Sequence, residues 1–85
     1  MYYVYLIQSE KDKSLYIGFC NDINRRLIEH NKGKSNFTKN KIPYKLIYFE
    51  GYLDKTDARK REISLKKQRM QKEFILKNIR NSLLK

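Results

Sequence analysis

The stretch from Leu15 to Gly33 gathers a tyrosine, an arginine and a histidine into one strand-to-helix unit. Arginine offers a phosphate a permanently charged planar fork. A tyrosine can pass a proton from water, although its unperturbed pKa of about 10 asks for a nearby cation if it is to act as a base at neutral pH. Tyr16 falls near the end of a short β-branched and aromatic run, and Gly18 permits a turn there. Asn21 or Asp22 is a natural N-cap, and Gly33 closes the helix as its C′ residue. At about 100° per residue, Arg26 and His30 form an i, i+4 row beside the apolar stripe of Ile23 and Leu27. Arg25, Glu29 and Lys32 fall on the opposite face, so Arg26 and His30 are expected to line a cleft and Arg25 is not.

The elements that must hold these residues follow from the alternation around them. Tyr2 to Ile7 alternates, with Tyr3, Tyr5 and Ile7 on one face and Tyr2, Val4 and Leu6 on the other. A polar break at residues 9–13 leads into a second strand, Ser14 to Gly18, so the pair forms a hairpin in which Tyr5 and Tyr16 share a face and meet Arg26 and His30. Lys34 to Lys41 is polar and basic without apolar periodicity, which predicts an exposed loop ending at Pro43. Tyr44 to Phe49 supplies a third strand. Asp54 or Thr56 can cap the next helix, whose apolar arc takes in Ala58, Leu65, Ile63 and Met70, with Glu62 inside it. An inward carboxylate needs a partner, because burying it alone is costly. After a break near Arg69 to Lys72, Ile75, Leu76, Ile79 and Leu83 suggest a last helix. The expectation is one α/β domain over residues 1–85, a small three-stranded, mainly antiparallel sheet flanked by helices in β-β-α-β-α-α order.

Composition narrows the partner. Twenty Lys and Arg against nine acidic residues give a formal net charge of +11 and a pI near 9.9, so a polyanion is expected. Residues 1–42 carry eight basic and four acidic side chains and residues 43–85 carry twelve and five, so the C-terminal half is the expected backbone-binding surface. The single cysteine, Cys20, excludes an internal disulfide and a cysteine-cluster zinc site, and a reducing, cytoplasmic setting fits. No stretch is long and apolar enough to span a membrane, and no helix pairs a strong apolar face with a uniformly basic one.

Taken together, Tyr3-Val4-Tyr5, Tyr16-Ile17-Gly18, Asn21-Asp22, Arg25-Arg26-Leu27, Glu29-His30-Asn31 and the run from Ala58 to Glu62 resemble the GIY-YIG nucleases, in particular their small stand-alone branch. The resemblance covers nearly the whole chain. It implies hydrolysis of phosphodiester bonds with one divalent ion, Mg²⁺ or Mn²⁺. It also implies that Tyr5 and Tyr16 are the motif tyrosines, Arg26 the catalytic arginine and Glu62 the metal ligand, and that His30 matches a histidine of several branches. A glutamate suits Mg²⁺ as a hard oxygen donor, with waters and a phosphate oxygen in the other positions. Two departures stand out: Tyr3 replaces the glycine that opens the first motif, and Phe19 stands where some members carry a lysine. The expectation is therefore a metal-dependent endonuclease acting on DNA with little sequence preference, since no recognition module is visible. The alternatives are a non-catalytic basic nucleic-acid-binding module on the same fold, or a protein-interaction domain.

Overall fold

The computed structural model describes residues 1–85. Strands β1 (Tyr2–Ser9) and β2 (Leu15–Cys20) form the expected hairpin, helix α1 (Ile23–Asn31) follows, and β3 (Tyr44–Tyr52) completes the sheet. Helices α2 (Lys55–Lys67), α3 (Arg69–Asn78) and the single turn α4 (Arg80–Leu83) end the chain. The sheet order is β2-β1-β3 and both pairings are antiparallel, as the alternation predicts.

β1 is central, and its residues from Val4 to Ser9 are all buried. This follows from cover on both faces. Val4, Leu6 and Ile17 pack against Ala58, Leu65 and Ile75 of α2 and α3. Tyr5, Ile7, Cys20 and Tyr44 form a second cluster, flanked by Ile23 and Leu27 of α1. The site grows from this second face.

The helix ends are set by local hydrogen bonds. Asp22 caps α1, its Oδ1 accepting from the Arg25 amide at 3.0 Å. At the other end Gly33, at φ +78°, lets its own N–H reach His30 O at 3.0 Å and the Lys34 N–H reach Glu29 O at 3.1 Å. That is a Schellman closure, which needs a left-handed residue at C′. Asn31 then grips β3 with its side-chain amide, accepting from the Tyr44 N–H at 2.7 Å and donating to Tyr44 O at 3.0 Å. α1 is thereby fixed against the sheet at the end that carries His30.

α2 is tied to the same edge strand, from the opposite face of the sheet, by a half-buried cluster. Arg61 donates to both oxygens of Glu50, at 2.8 and 3.0 Å, and Tyr48 and Tyr52 each donate to Glu50 at 2.6 Å. Burial pushes the Glu50 carboxyl up, and the Arg61 and tyrosine hydrogen bonds outweigh it, holding the group below its ordinary range. Burial, followed by the hydrogen bond to this carboxylate, pushes the Tyr48 and Tyr52 phenols up to about 12.

Two expectations about the helices need correction. The chain breaks at Gln68, one residue ahead of the expected segment, with an extended backbone at φ −106°, ψ 94°. The arc is also narrower: Ala58 and Leu65 are buried, while Ile63 and Met70 are exposed. The extended residue restarts the helical phase, so Met70 belongs to α3, whose inward residue is Ile75.

Candidate active site

Register brings the two tyrosines together. Tyr5 pairs with Gly18 and Ile7 with Tyr16, so the tyrosines are diagonal neighbours on one face. The Tyr5 ring lies over Gly18, where a Cβ would fall 2.2 Å from Tyr5 Oη and 2.3 Å from Cζ. The glycine therefore serves close approach and not a turn; β2 does not stop there and continues to Cys20.

His30 fills the space behind the tyrosines. Its Nε2 lies 2.8 Å from Tyr5 Oη and its Nδ1 lies 2.8 Å from Thr38 Oγ1. Its ring stands edge-on to those of Tyr5 and Tyr16, with centroids 5.9 and 5.1 Å away. The cleft expected to expose His30 is closed over it, and the residue is fully buried. The cause is the segment expected to be an exposed loop: residues 34–41 fold inward, burying Ser35 and Thr38 and keeping their lysines outside. Burial, then the charge of Arg26, hold the imidazole below its usual pKa, with Glu29 acting the other way, so it is neutral at neutral pH.

Arg26 stands beside Tyr5 and is half-buried. Burial drives the Tyr5 phenol far above its ordinary range, the Arg26 charge pulls against that, and Tyr16 adds to the rise. Arg26 Nη1 is 3.0 Å from Glu29 Oε1, and Arg25 Nε is 3.9 Å from Glu29 Oε2. Glu29 thus reaches around the helix to both arginines, although the wheel put it opposite Arg26, because long side chains at i, i+3 and i, i+4 meet. Arg26 does not pair with Glu62.

Glu62 lies on α2 and is mostly covered, its side chain 19% exposed. Its Oε2 is 3.0 Å from Lys66 Nζ, and that ammonium lies 5.9 Å from the centre of the Tyr16 ring. One helix turn earlier the Arg59 guanidinium lies 4.8 Å from the centre of Phe19. Two cations of α2 thus stand at this edge of the sheet, Lys66 beside Tyr16 and Arg59 over Phe19. Sequence reasoning missed Lys66 and Thr38. The i, i+4 spacing of Glu62 and Lys66 was a usable signal for the first, and Thr38, one of several polar residues in an aperiodic stretch, gave none.

No three of the chain's His, Cys, Asp and Glu side chains converge as a protein-only cage for a metal. Glu62 offers a single carboxylate on α2, linked to the tyrosine face only through Lys66. That donor set fits Mg²⁺ or Mn²⁺, which keep several waters and take phosphate oxygens with one or two carboxylates. Lys66 competes for that carboxylate through Oε2.

A three-stranded antiparallel sheet thus turns the tyrosines of its hairpin toward the arginine of the next helix. The chain belongs to the GIY-YIG family: residues 1–79 match the GIY-YIG catalytic domain. Within it, the chain is similar to the stand-alone UPF0213 proteins. The one from Streptococcus pneumoniae serotype 4 is 42% identical over 85 residues, which is 96% of this chain and 85% of that protein. One from Staphylococcus epidermidis is 42% identical over 66 residues, 76% of this chain and 79% of that protein. The solution NMR structure of the Bacillus halodurans UPF0213 protein shares the fold at a TM-score of 0.53, with 28% identity over 88% of this chain and 83% of that one.

Proposed function

We propose that this protein is a divalent-metal-dependent endonuclease that hydrolyses phosphodiester bonds in DNA, in the cytoplasm, with little sequence specificity. The observation that carries this reading is the Tyr5 hydroxyl, held at 2.8 Å by a buried histidine, with Arg26 beside it. A phenol fixed in place, backed by a proton acceptor and flanked by a permanent cation, is equipped to move a proton next to a phosphate. Arg26 holds the phosphate and stabilises the charge it gains when water attacks. Tyr5 and Tyr16 orient that water, and His30 positions Tyr5. Glu62 would hold Mg²⁺ or Mn²⁺, which when bound would supply Lewis-acid stabilisation of the phosphoryl oxygens. The charge of +11 attracts the backbone irrespective of base sequence.

The test is nicking of supercoiled plasmid with and without magnesium, by the native chain and by Glu62→Gln, alongside Mn²⁺ binding followed by paramagnetic relaxation. Magnesium-dependent nicking that collapses in Glu62→Gln together with Mn²⁺ binding is expected. Nicking that survives Glu62→Gln at saturating magnesium ends the metal-ligand role. The Glu62–Lys66 pair favours a second reading, a non-catalytic nucleic-acid-binding module, since the one candidate ligand already has a counter-ion. Nucleic-acid binding with no nicking and no Mn²⁺ uptake would establish it.

A further inference from the structure

We infer that the cavity between α1 and the start of α2 holds a backbone phosphate of the nucleic acid, next in line to the one bound by Arg26. This deepens the proposed function and rests on its nucleic-acid substrate. Three cations line the cavity, Arg25 and Arg26 from α1 and Lys55 from α2, against one carboxylate, Glu29. Glu29 already serves both arginines, and Lys55 takes part in none of the chain's ion pairs. The cavity is therefore positive with a cation to spare.

Its far wall is aromatic. The Tyr2 and Phe19 rings lie 6.2 Å apart at 8° to one another, and the Arg59 guanidinium covers Phe19. A wall of this kind keeps water from one side of the cations and strengthens their field. The forks are also held in position: Arg25 Nη2 donates to Asn21 Oδ1 at 3.1 Å and Arg26 Nη1 to Glu29 Oε1 at 3.0 Å. Planar guanidinium forks with one point charge beside them suit a tetrahedral phosphate, where bidentate contacts form. Arg26 faces Tyr5 on one side and this cavity on the other, so the cavity continues the catalytic face. The helix wheel that set Arg25 apart from Arg26 therefore misleads here: Arg25 reaches the same cavity and belongs to substrate binding.

The experiment is an NMR titration of the full chain in a chelator, so that nothing is cleaved, with a five-nucleotide oligothymidylate and separately with inorganic phosphate. Arginine Nε resonances and the Phe19 amide should shift with the oligonucleotide. The double variant Arg25→Gln, Lys55→Gln should raise its Kd about tenfold or more, as expected for two charge-assisted contacts. A charge-matched double variant at the far end of α2 and on α3, Lys67→Gln, Lys77→Gln, should change it by about twofold or less. Equal losses in the two variants, or shifts elsewhere, overturn the inference. Inorganic phosphate binding as tightly as the oligonucleotide overturns it too, since the cavity would then take a free anion. Because no cleavage is measured, the two readings fail separately: a chain that binds here without nicking plasmid keeps this site and loses the nuclease, and one that nicks without Arg25 and Lys55 does the reverse.

Discussion

Gly18→Ala should be among the most damaging small substitutions in the chain, and the structure says why. Ordinarily a glycine replaced by alanine in a strand gains about 0.4–1 kcal/mol from a less disordered unfolded chain, provided the backbone is compatible. Here the added Cβ would sit 2.2 Å from Tyr5 Oη and 2.3 Å from Cζ, well inside contact distance. The ring cannot swing freely, since Tyr5 is buried and tied to His30 at 2.8 Å. Either the sheet strains, costing about 1–3 kcal/mol as overpacked sites do, or Tyr5 leaves and strands the buried His30 nitrogen, at a similar cost of about 1–3 kcal/mol. With some of both, a net loss of about 2–3 kcal/mol is expected. In a domain of this size that lowers Tm by on the order of 10–20 °C. Far-UV circular dichroism melts give the stability, and the ¹⁵N shifts of the chain's single histidine report its bond to Tyr5 without ambiguity. In a Tyr5→Leu background the same Gly18→Ala change should cost less than about 1 kcal/mol, because the ring it meets is gone. A Gly18→Ala protein with native Tm and native histidine shifts would refute the close-approach argument. An undiminished cost in the Tyr5→Leu background would place the clash elsewhere.

Arg26→Ala should slow single-turnover cleavage by about 10²-fold or more at saturating protein, as removal of one positioned electrostatic group does; Arg26→Lys should recover little, Arg25→Ala should weaken binding with the rate intact, and equal rate losses would show that the two share one role. Glu50→Gln should destabilise the fold by about 2–3 kcal/mol by loosening the half-buried Arg61 fork; because the folded Glu50 pKa is depressed, its contribution is present above the ordinary carboxyl range and fades as pH falls through the folded value, so urea melts of the variant should be flatter with pH there. The His30 pKa is also lowered on folding, so the unfolded chain takes up a proton that the native one refuses, and stability should begin to fall below about pH 6.5. A urea midpoint unchanged between pH 7 and 5 would contradict the burial of His30.

Much of this fold was legible because its local and global requirements agree. Strict alternation in Tyr2–Ile7 put Tyr5 on the face it occupies, and the register of a short hairpin then brought Tyr16 to it. Asp22 and Gly33 bounded α1 through cap chemistry that acts within a few residues. What could not be read was decided by distant partners. Residues 34–41 look solvated because no periodicity marks them, yet Thr38 is drawn inside by the second nitrogen of a histidine that needs a partner. Gly18 looked like a turn because glycine's conformational freedom is visible in sequence and the ring lying over it is not. The wheel separated Arg25 from Arg26 by backbone direction, and side chains of that length cross such a gap.

The hydrogen bonds of the buried trio bear on how a phenol with a raised pKa can serve as a base in the proposed reaction. Tyr5, neutral His30 and Thr38 carry three hydrogens but share only two hydrogen bonds, so one hydroxyl hydrogen is always left over. If Thr38 donates to Nδ1, then Nε2–H donates to Tyr5 and the spare hydrogen sits on the phenol, facing Arg26, which can only donate. If Nδ1–H donates to Thr38, the phenol donates to Nε2 and presents a lone pair to the substrate side. The second arrangement is the one that can accept a proton from water. In the proposed reaction Tyr5 would take that proton as it hands its own to Nε2, and the imidazole would end doubly protonated with Thr38 still accepting at Nδ1. That route would need no phenolate, which matters because burial opposes one more strongly than Arg26 favours it. The charge created falls on His30, whose lowered pKa limits how far the transfer proceeds, and Glu29, acting on His30 against Arg26, eases it. A hydroxyl at position 38 can turn from donor to acceptor by rotating one bond, so it tolerates both tautomers. A carboxylate there would pin the proton on Nδ1, and an apolar side chain would leave the protonated ring with a buried, unpaired N–H.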